Sequence, residues 1–232
     1  MTGPHVPQVA ALVAAVDAAA AAAGPLLCAR NETEARLLLL WLDFLQKYSL
    51  TGTADTLLAG CRSAIVECTA CLSIGLVRPA LFSLRAQIDL LLCWIYFKDH
   101  LVEWQFLDRS GEGFKLKTEV LKFLDTHCDG FSEKLGVLRQ AKTRRDDDPY
   151  RLLSAHVHSQ STKVVPSLSK LSDVVAGKPL CEEVCELQGA CAEYLNDILL
   201  CIYASKWSSL PQEIVATARS RLNASQEKVV FA

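Results

Sequence analysis

An all-α fold is what this 232-residue sequence predicts, on three observations. Gly and Pro number only 11 and 8, too few for a turn-rich β protein, while Ala and Leu are abundant. Long apolar runs recur at helical spacing, with no stretch of strand-like alternation. Capping residues and helix-stopping Gly or Pro punctuate those runs.

The elements follow in order. Residues 7–23 read as an Ala-rich helix ended by Gly24-Pro25. "NETEARLLLLWLDFLQKY" starts a second, with Asn31 or Thr33 as the cap and Glu32 and Glu34 suited to its N-terminus, running to Tyr48. Thr51 or Thr53 opens a long helix that Gly75 stops. Pro79 fits the first turn of the next, "PALFSLRAQIDLLLCWIYFK", whose nearly continuous apolar positions make it central. "KDHLVEWQFLDR" continues as helix or a short kinked piece up to a turn at "SGEG", Ser110 to Gly113. An amphipathic pair, "FKLKTEVLKFLDTHC" and "GFSEKLGVLRQAKTRR", is split by Asp129-Gly130. Pro149 sits in the first turn of a helix from Tyr150 to about Gln160, with Asp147 or Asp148 as N-cap. A segment from Lys163 to Val175 leads to Gly177-Lys178-Pro179, and a last long helix runs from Cys181 toward Trp207. The expectation is one all-α domain over residues 1–232. Residues 1–30 form a peripheral N-terminal helix, and residues 208–232 a C-terminal helix and tail.

Composition narrows the function. The net charge of −2 gives no global pull toward nucleic acid or anionic membrane, so any phosphate-binding surface must be local. "KTRR", Lys142 to Arg145, is one candidate, offset at once by Asp146, Asp147 and Asp148. The ten Cys fall mostly inside apolar helical runs and read as reduced core thiols of a cytoplasmic protein. "CTAC", Cys68 to Cys71, is a lone CxxC with no second pair to complete a zinc site, so neither metal nor cofactor is expected. "VAALVAAVDAAAAAAG" reads as too short and Ala-rich for a membrane span, and "IDLLLCWIYF" as shorter still, so no membrane partner is expected.

The densest chemistry lies in "DDDPYRLLSAHVHSQ", Asp146 to Gln160. On a helix Arg151 and His158, seven apart, share one face, and Ser154 and His158, four apart, can touch. His156 points elsewhere, and Tyr150 stands at the helix entrance. Upstream, Arg85 and Asp89 interrupt the central apolar helix one turn apart. Imidazole moves a proton near neutral pH, and a guanidinium holds phosphate oxygens and stabilises charge on phosphorus. Without metal, these groups suffice for attack of an RNA 2′-hydroxyl on its neighbouring phosphate, more fully when two copies of the helix face each other in a dimer.

Arg151 followed by His156 or His158 resembles the Arg-x(4–6)-His pattern of the HEPN superfamily, all-helical domains many of which are metal-independent RNases. "YRLLSAHVHSQ" is similar to the Tyr-x-x-Leu-Ser-x-x-x-His segment of a bacterial HEPN-like family. "GLVRPALFSLRAQIDLLLCWIYFKD" resembles that family's Arg-x-x-x-Glu helix, with Arg85 and the shorter Asp89 at matching places. Leu152 stands where the pattern usually has a polar residue. The resemblance implies a HEPN-like helical bundle and a homodimer. It also implies a ribonuclease of a toxin–antitoxin or phage-defence system, acting on RNA and held by an antitoxin. Arg151 would stabilise phosphate and His158, preferred over His156, would transfer the proton, with Ser154, Tyr150, Arg85 and Asp89 in support. The alternative is a non-catalytic helical interaction module that uses the same cluster to lock helices and binds a protein partner or itself.

Overall fold

The computed structural model describes residues 5–160, 162 and 164–231. The expected segment ends at Met1, Lys163 and Ala232 lie outside them. Among the described residues there are ten α-helices and no strand: α1 (Val6–Tyr48), α2 (Thr56–Ser73), α3 (Val77–Phe97), α4 (Leu101–Ser110), α5 (Lys117–His127), α6 (Phe131–Gln140), α7 (Pro149–Val157), α8 (Lys178–Tyr203), α9 (Gln212–Arg219) and α10 (Ala224–Val230). Two 3-10 turns, Leu171–Val174 and Ala204–Ser209, flank α8. The all-α class is as the sequence predicts.

The chain divides into two compact units, each assembled from three stretches of sequence. Unit 1 comprises Met1–Ala35, Ser63–Ala86 and Asp148–Gly189, and unit 2 comprises Arg36–Arg62, Gln87–Asp147 and Ala190–Ala232. In unit 1, Leu27, Leu72, Leu84, Leu153 and Cys185 are fully or almost fully buried. In unit 2, Trp41, Trp94, Phe97, Leu195 and Leu199 are shut off from solvent. Both tryptophans find acceptors there, Trp41 Nε1 donating to Asn196 Oδ1 at 2.9 Å and Trp94 Nε1 to Asp55 Oδ1 at 3.1 Å.

Several expected boundaries hold. Gly75, Gly111 and Gly130 take positive φ of 80°, 74° and 68° at the ends or starts of helices, where a Cβ would be strained. Pro149 opens α7, and Asp148 is its N-cap.

The break at Gly24-Pro25 does not occur. α1 runs unbroken for 43 residues with Pro25 inside it. An added Cβ on Gly24 would lie 2.9 Å from the Ser73 carbonyl oxygen, so this glycine lets α1 approach the end of α2. Ala21, whose carbonyl loses its donor to Pro25, and Pro25 itself are both exposed, so water can satisfy that carbonyl. The expected caps therefore do other work. Asn31 is buried and donates from Nδ2 to Thr69 Oγ1 at 2.8 Å, and Thr33 Oγ1 donates back to the Ala29 carbonyl at 2.8 Å.

The segments read as too short for a membrane belong to longer helices. α1, α2 and α3 are each long and apolar enough to cross a bilayer by length and composition. Two thirds of the most apolar window of α3 is buried inside the protein (67%), against 17% for α1. The apolarity of α3 is thus largely used by packing, and that of α1 is not.

Candidate functional site

The expected constellation is built around α7 and the first half of α3, both in unit 1. Leu153, completely buried, anchors α7. From α3, Arg85 reaches two α7 side chains at once. Its Nη1 donates to Ser154 Oγ at 2.6 Å, and its Nη2 donates to the Tyr150 hydroxyl. The guanidinium also lies over the Tyr150 ring, 3.7 Å from its centroid. Ser154 passes its own proton to the Tyr150 carbonyl, 2.7 Å away, so the hydroxyl is committed on both sides.

Seven residues before Arg85, two turns away on the same face of α3, stands Arg78. Its Nη2 donates to Ser159 Oγ at 3.1 Å, and its guanidinium lies over the Phe82 ring, 5.4 Å from the centroid. The two arginines are spaced by about 10 Å of helix rise, and they engage α7 at opposite ends. Arg85 holds the start and Arg78 the residues just past the finish, so α7 runs antiparallel to α3. Ser159 has a left-handed backbone, φ 49°, rare for a residue with a Cβ. Gln160 N bonds back to the Ala155 carbonyl at 3.0 Å, the six-to-one closure of a left-handed helix end. Arg78 therefore fastens a strained C-terminal cap. It was missed in the sequence, although its seven-residue spacing from Arg85 was there to be seen.

The histidines separate. α7 ends at Val157 rather than near Gln160, and His158 is its C-cap, exposed, with its backbone N–H on the Ser154 carbonyl at 3.0 Å. The expected Ser154–His158 side-chain contact is replaced by the Arg85 bond. His156 is half-buried, and its pKa is pushed below the ordinary value, first by burial and then by the nearby Arg78 charge. Arg151 is exposed, and among the described residues neither its side chain nor that of His158 forms a hydrogen bond or ion pair. Asp89, half-buried one turn beyond Arg85 on α3, belongs to unit 2.

Unit 2 contains a second polar cluster that the sequence reading did not find. Arg144, from the "KTRR" candidate, is buried and not a surface phosphate ligand. Its Nη1 donates to Glu193 Oε1 at 3.0 Å and to Asp197 Oδ2 at 2.6 Å. Arg221 adds Nη1 to Glu193 at 2.7 Å and Nη2 to Asp197 at 2.6 Å. Burial raises the pKa of Asp197 against the pull of both arginines. Burial also raises that of Glu193, but hydrogen bonds from Thr143 and the two arginine charges together bring it below its usual value. The available signal was Glu193 and Asp197, one turn apart in the mostly apolar "ACAEYLNDILL". Lys142 pairs instead with Asp147 at 2.7 Å.

All ten cysteines are free thiols. Burial pushes the thiols of Cys61 and Cys93 up to about 12 and that of Cys185 up to about 11, away from nucleophilic or ligating use at neutral pH. Of the CxxC pair, Cys68 is buried and Cys71 half-buried, and burial raises both pKa values. Among the described residues, no group of three or more His, Cys, Asp or Glu is placed to hold a metal ion. No family model, curated protein or solved structure matches this chain.

Proposed function

We propose that the chain is a non-catalytic, HEPN-like helical interaction module. In this reading, the Tyr150–Ser154–Arg85 cluster fixes α7 in place. The observation that carries it is the double use of Arg85: the hydroxyls of Tyr150 and Ser154 both accept from that guanidinium, and Ser154 also donates to the α7 backbone. What supports the HEPN likeness is that the two segments carrying the resemblance, around Arg85 and around Tyr150–Ser154, touch each other within unit 1. The fastened helix then offers Arg151, Leu152 and His158, all exposed, as a rigid contact strip for a second copy or another protein in the cytoplasm. Rigid presentation lowers the ordering cost of association.

One observation favours a second reading, a metal-independent endoribonuclease of a toxin–antitoxin or phage-defence system. Among the described residues, Arg151 and His158 are exposed and their side chains form no hydrogen bond or ion pair. A dimer pairing two α7 helices would place two imidazoles and two guanidiniums together. One imidazole would take the 2′-hydroxyl proton, the other would give a proton to the leaving 5′-oxygen, and the guanidiniums would hold the phosphorane.

Incubation of the purified protein with structured and single-stranded RNAs in chelator, beside Arg151→Ala and His158→Ala, separates the two. The module predicts intact RNA in every lane. Cleavage by the parent that both substitutions abolish would replace the module with the nuclease.

A further inference from the structure

In the first half of α1, every residue from Val6 to Ala22 is exposed or half-exposed. Further along, Ala23, Leu27, Asn31 and Ala35 are buried in unit 1. Going from Ala23 toward the N-terminus in steps of three or four residues leads to Ala20, Val16, Val13, Val9 and Val6. Such steps keep to one face of a helix. The stripe that packs into unit 1 therefore continues along the uncovered half of α1. All four valines of α1 lie on that continuation. Val6, Val9 and Val13 are 53%, 49% and 53% exposed, and Val16 is half-buried. Steps alternating between three and four residues, with β-branched side chains, form the a/d seam of a coiled coil.

The segment is apolar on its other sides too, with a mean hydropathy of 1.8 in its most apolar window. Asp17 separates a bilayer from a second helix as its covering. A span from Val6 to Leu27 would put the Asp17 carboxylate at the bilayer centre, where a charge costs most. Beside a paired helix, Asp17 flanks the seam and stays in water.

A second copy fits the stripe in antiparallel register. With a two-fold axis at Ala11, Val6 lies against the partner's Val16 and Val9 against the partner's Val13. Leu12, next to the axis, meets the partner's Leu12. The two Asp17 carboxylates then stand about 18 Å apart along the helices, beyond a Debye length at physiological salt. A parallel pair in register would set them at the same level. Each helix is already formed as part of the 43-residue α1, so pairing carries little ordering cost.

We propose that α1 is a self-association surface, on which two copies of this chain pair antiparallel through Val6, Val9, Val13 and Val16. This surface is separate from the α7 strip, so its failure leaves the reading of α7 untouched.

The test is sedimentation velocity of the whole protein at concentrations up to about 100 μM, which resolves the micromolar association of a modest interface. The parent is expected to dimerise. Val9→Lys and Val13→Glu should each be monomeric with unchanged helical circular dichroism, because both valines lie outside the core. An equimolar mixture of the two variants should dimerise again. In the mixed pair one layer sets an ammonium against a carboxylate and the other stays Val–Val, a match that only the antiparallel register makes. The mixture also guards against a folding defect, since a variant that had lost its helix could not regain the dimer. A monomeric parent, a dimer that either variant retains, or a mixture that stays monomeric would each overturn the proposal. So would flotation of the parent with phosphatidylcholine vesicles that Val9→Lys abolishes, because lipid would then cover the stripe.

Discussion

The two polar clusters set arginine against different groups on the helices they tie. In unit 2, Arg144 and Arg221 face two carboxylates, and Asp197 is entirely buried. In unit 1, the half-buried Arg85 meets neutral hydroxyls and an aromatic face on α7. A buried charge network is costly to desolvate but very costly to break, because each deletion strands another charge. A guanidinium on hydroxyls can lose a partner to water at modest cost. The contrast makes unit 2's cluster a rigid internal tie, and the α7 clasp a fastening whose loss the fold can survive.

The largest effect is therefore expected in unit 2. Asp197→Ala should cost about 3–5 kcal/mol, since it leaves Arg144 and Arg221 under-compensated in the interior. Chemical denaturation measures it, and a loss below about 1 kcal/mol would erase the distinction between the clusters. Next, Arg85→Ala should cost about 1.5–3 kcal/mol by the same measurement, the range for hydrogen bonds to a charged group. Its far-ultraviolet circular dichroism should stay close to the parent's, because only α7 loses its fastening.

Smaller still is the effect of pH on His156. Its folded pKa lies below the unfolded value near 6.5, so the folded state binds fewer protons there. The associated stability is present above pH 6.5 and is lost as pH falls through the folded pKa. Proton NMR of the ring should show a titration below the ordinary range, moving part of the way back up in Arg78→Ala. A midpoint unchanged by that substitution would remove Arg78 from the neighbourhood of the imidazole. Smallest of all, Arg151→Ala and His158→Ala should shift stability by no more than about 0.5 kcal/mol, as substitutions of exposed residues usually do.

The sequence made the helices legible and their continuity much less so. Gly24-Pro25 carries the usual signature of a stop, yet the close approach to Ser73 and the solvent beside Ala21 let α1 run on; neither is visible without the third dimension. Four of the five boundaries between the units fall inside helices, so no linker composition marks them. At the candidate site, the pairing of Arg85 with the α7 segment was legible because both segments stand out chemically against apolar surroundings. The split between spent and unspent side chains was not. Helical periodicity gives an azimuth, and it placed Arg151 and His158 together; it does not say which face meets α3. Arg144 was misread because a run of basic residues looks like surface until its acidic partners, some 50 residues away, are known.

A double-mutant cycle on Arg85 and Ser154 tests the central assignment most directly. If the pair is a structural fastening, Arg85→Ala and Ser154→Ala should be non-additive, with a coupling of about 1–2 kcal/mol in denaturant unfolding. Additivity within about 0.3 kcal/mol would mean that the clasp contributes nothing to the fold, and Ser154 and Arg85 would return to the surface chemistry of α7.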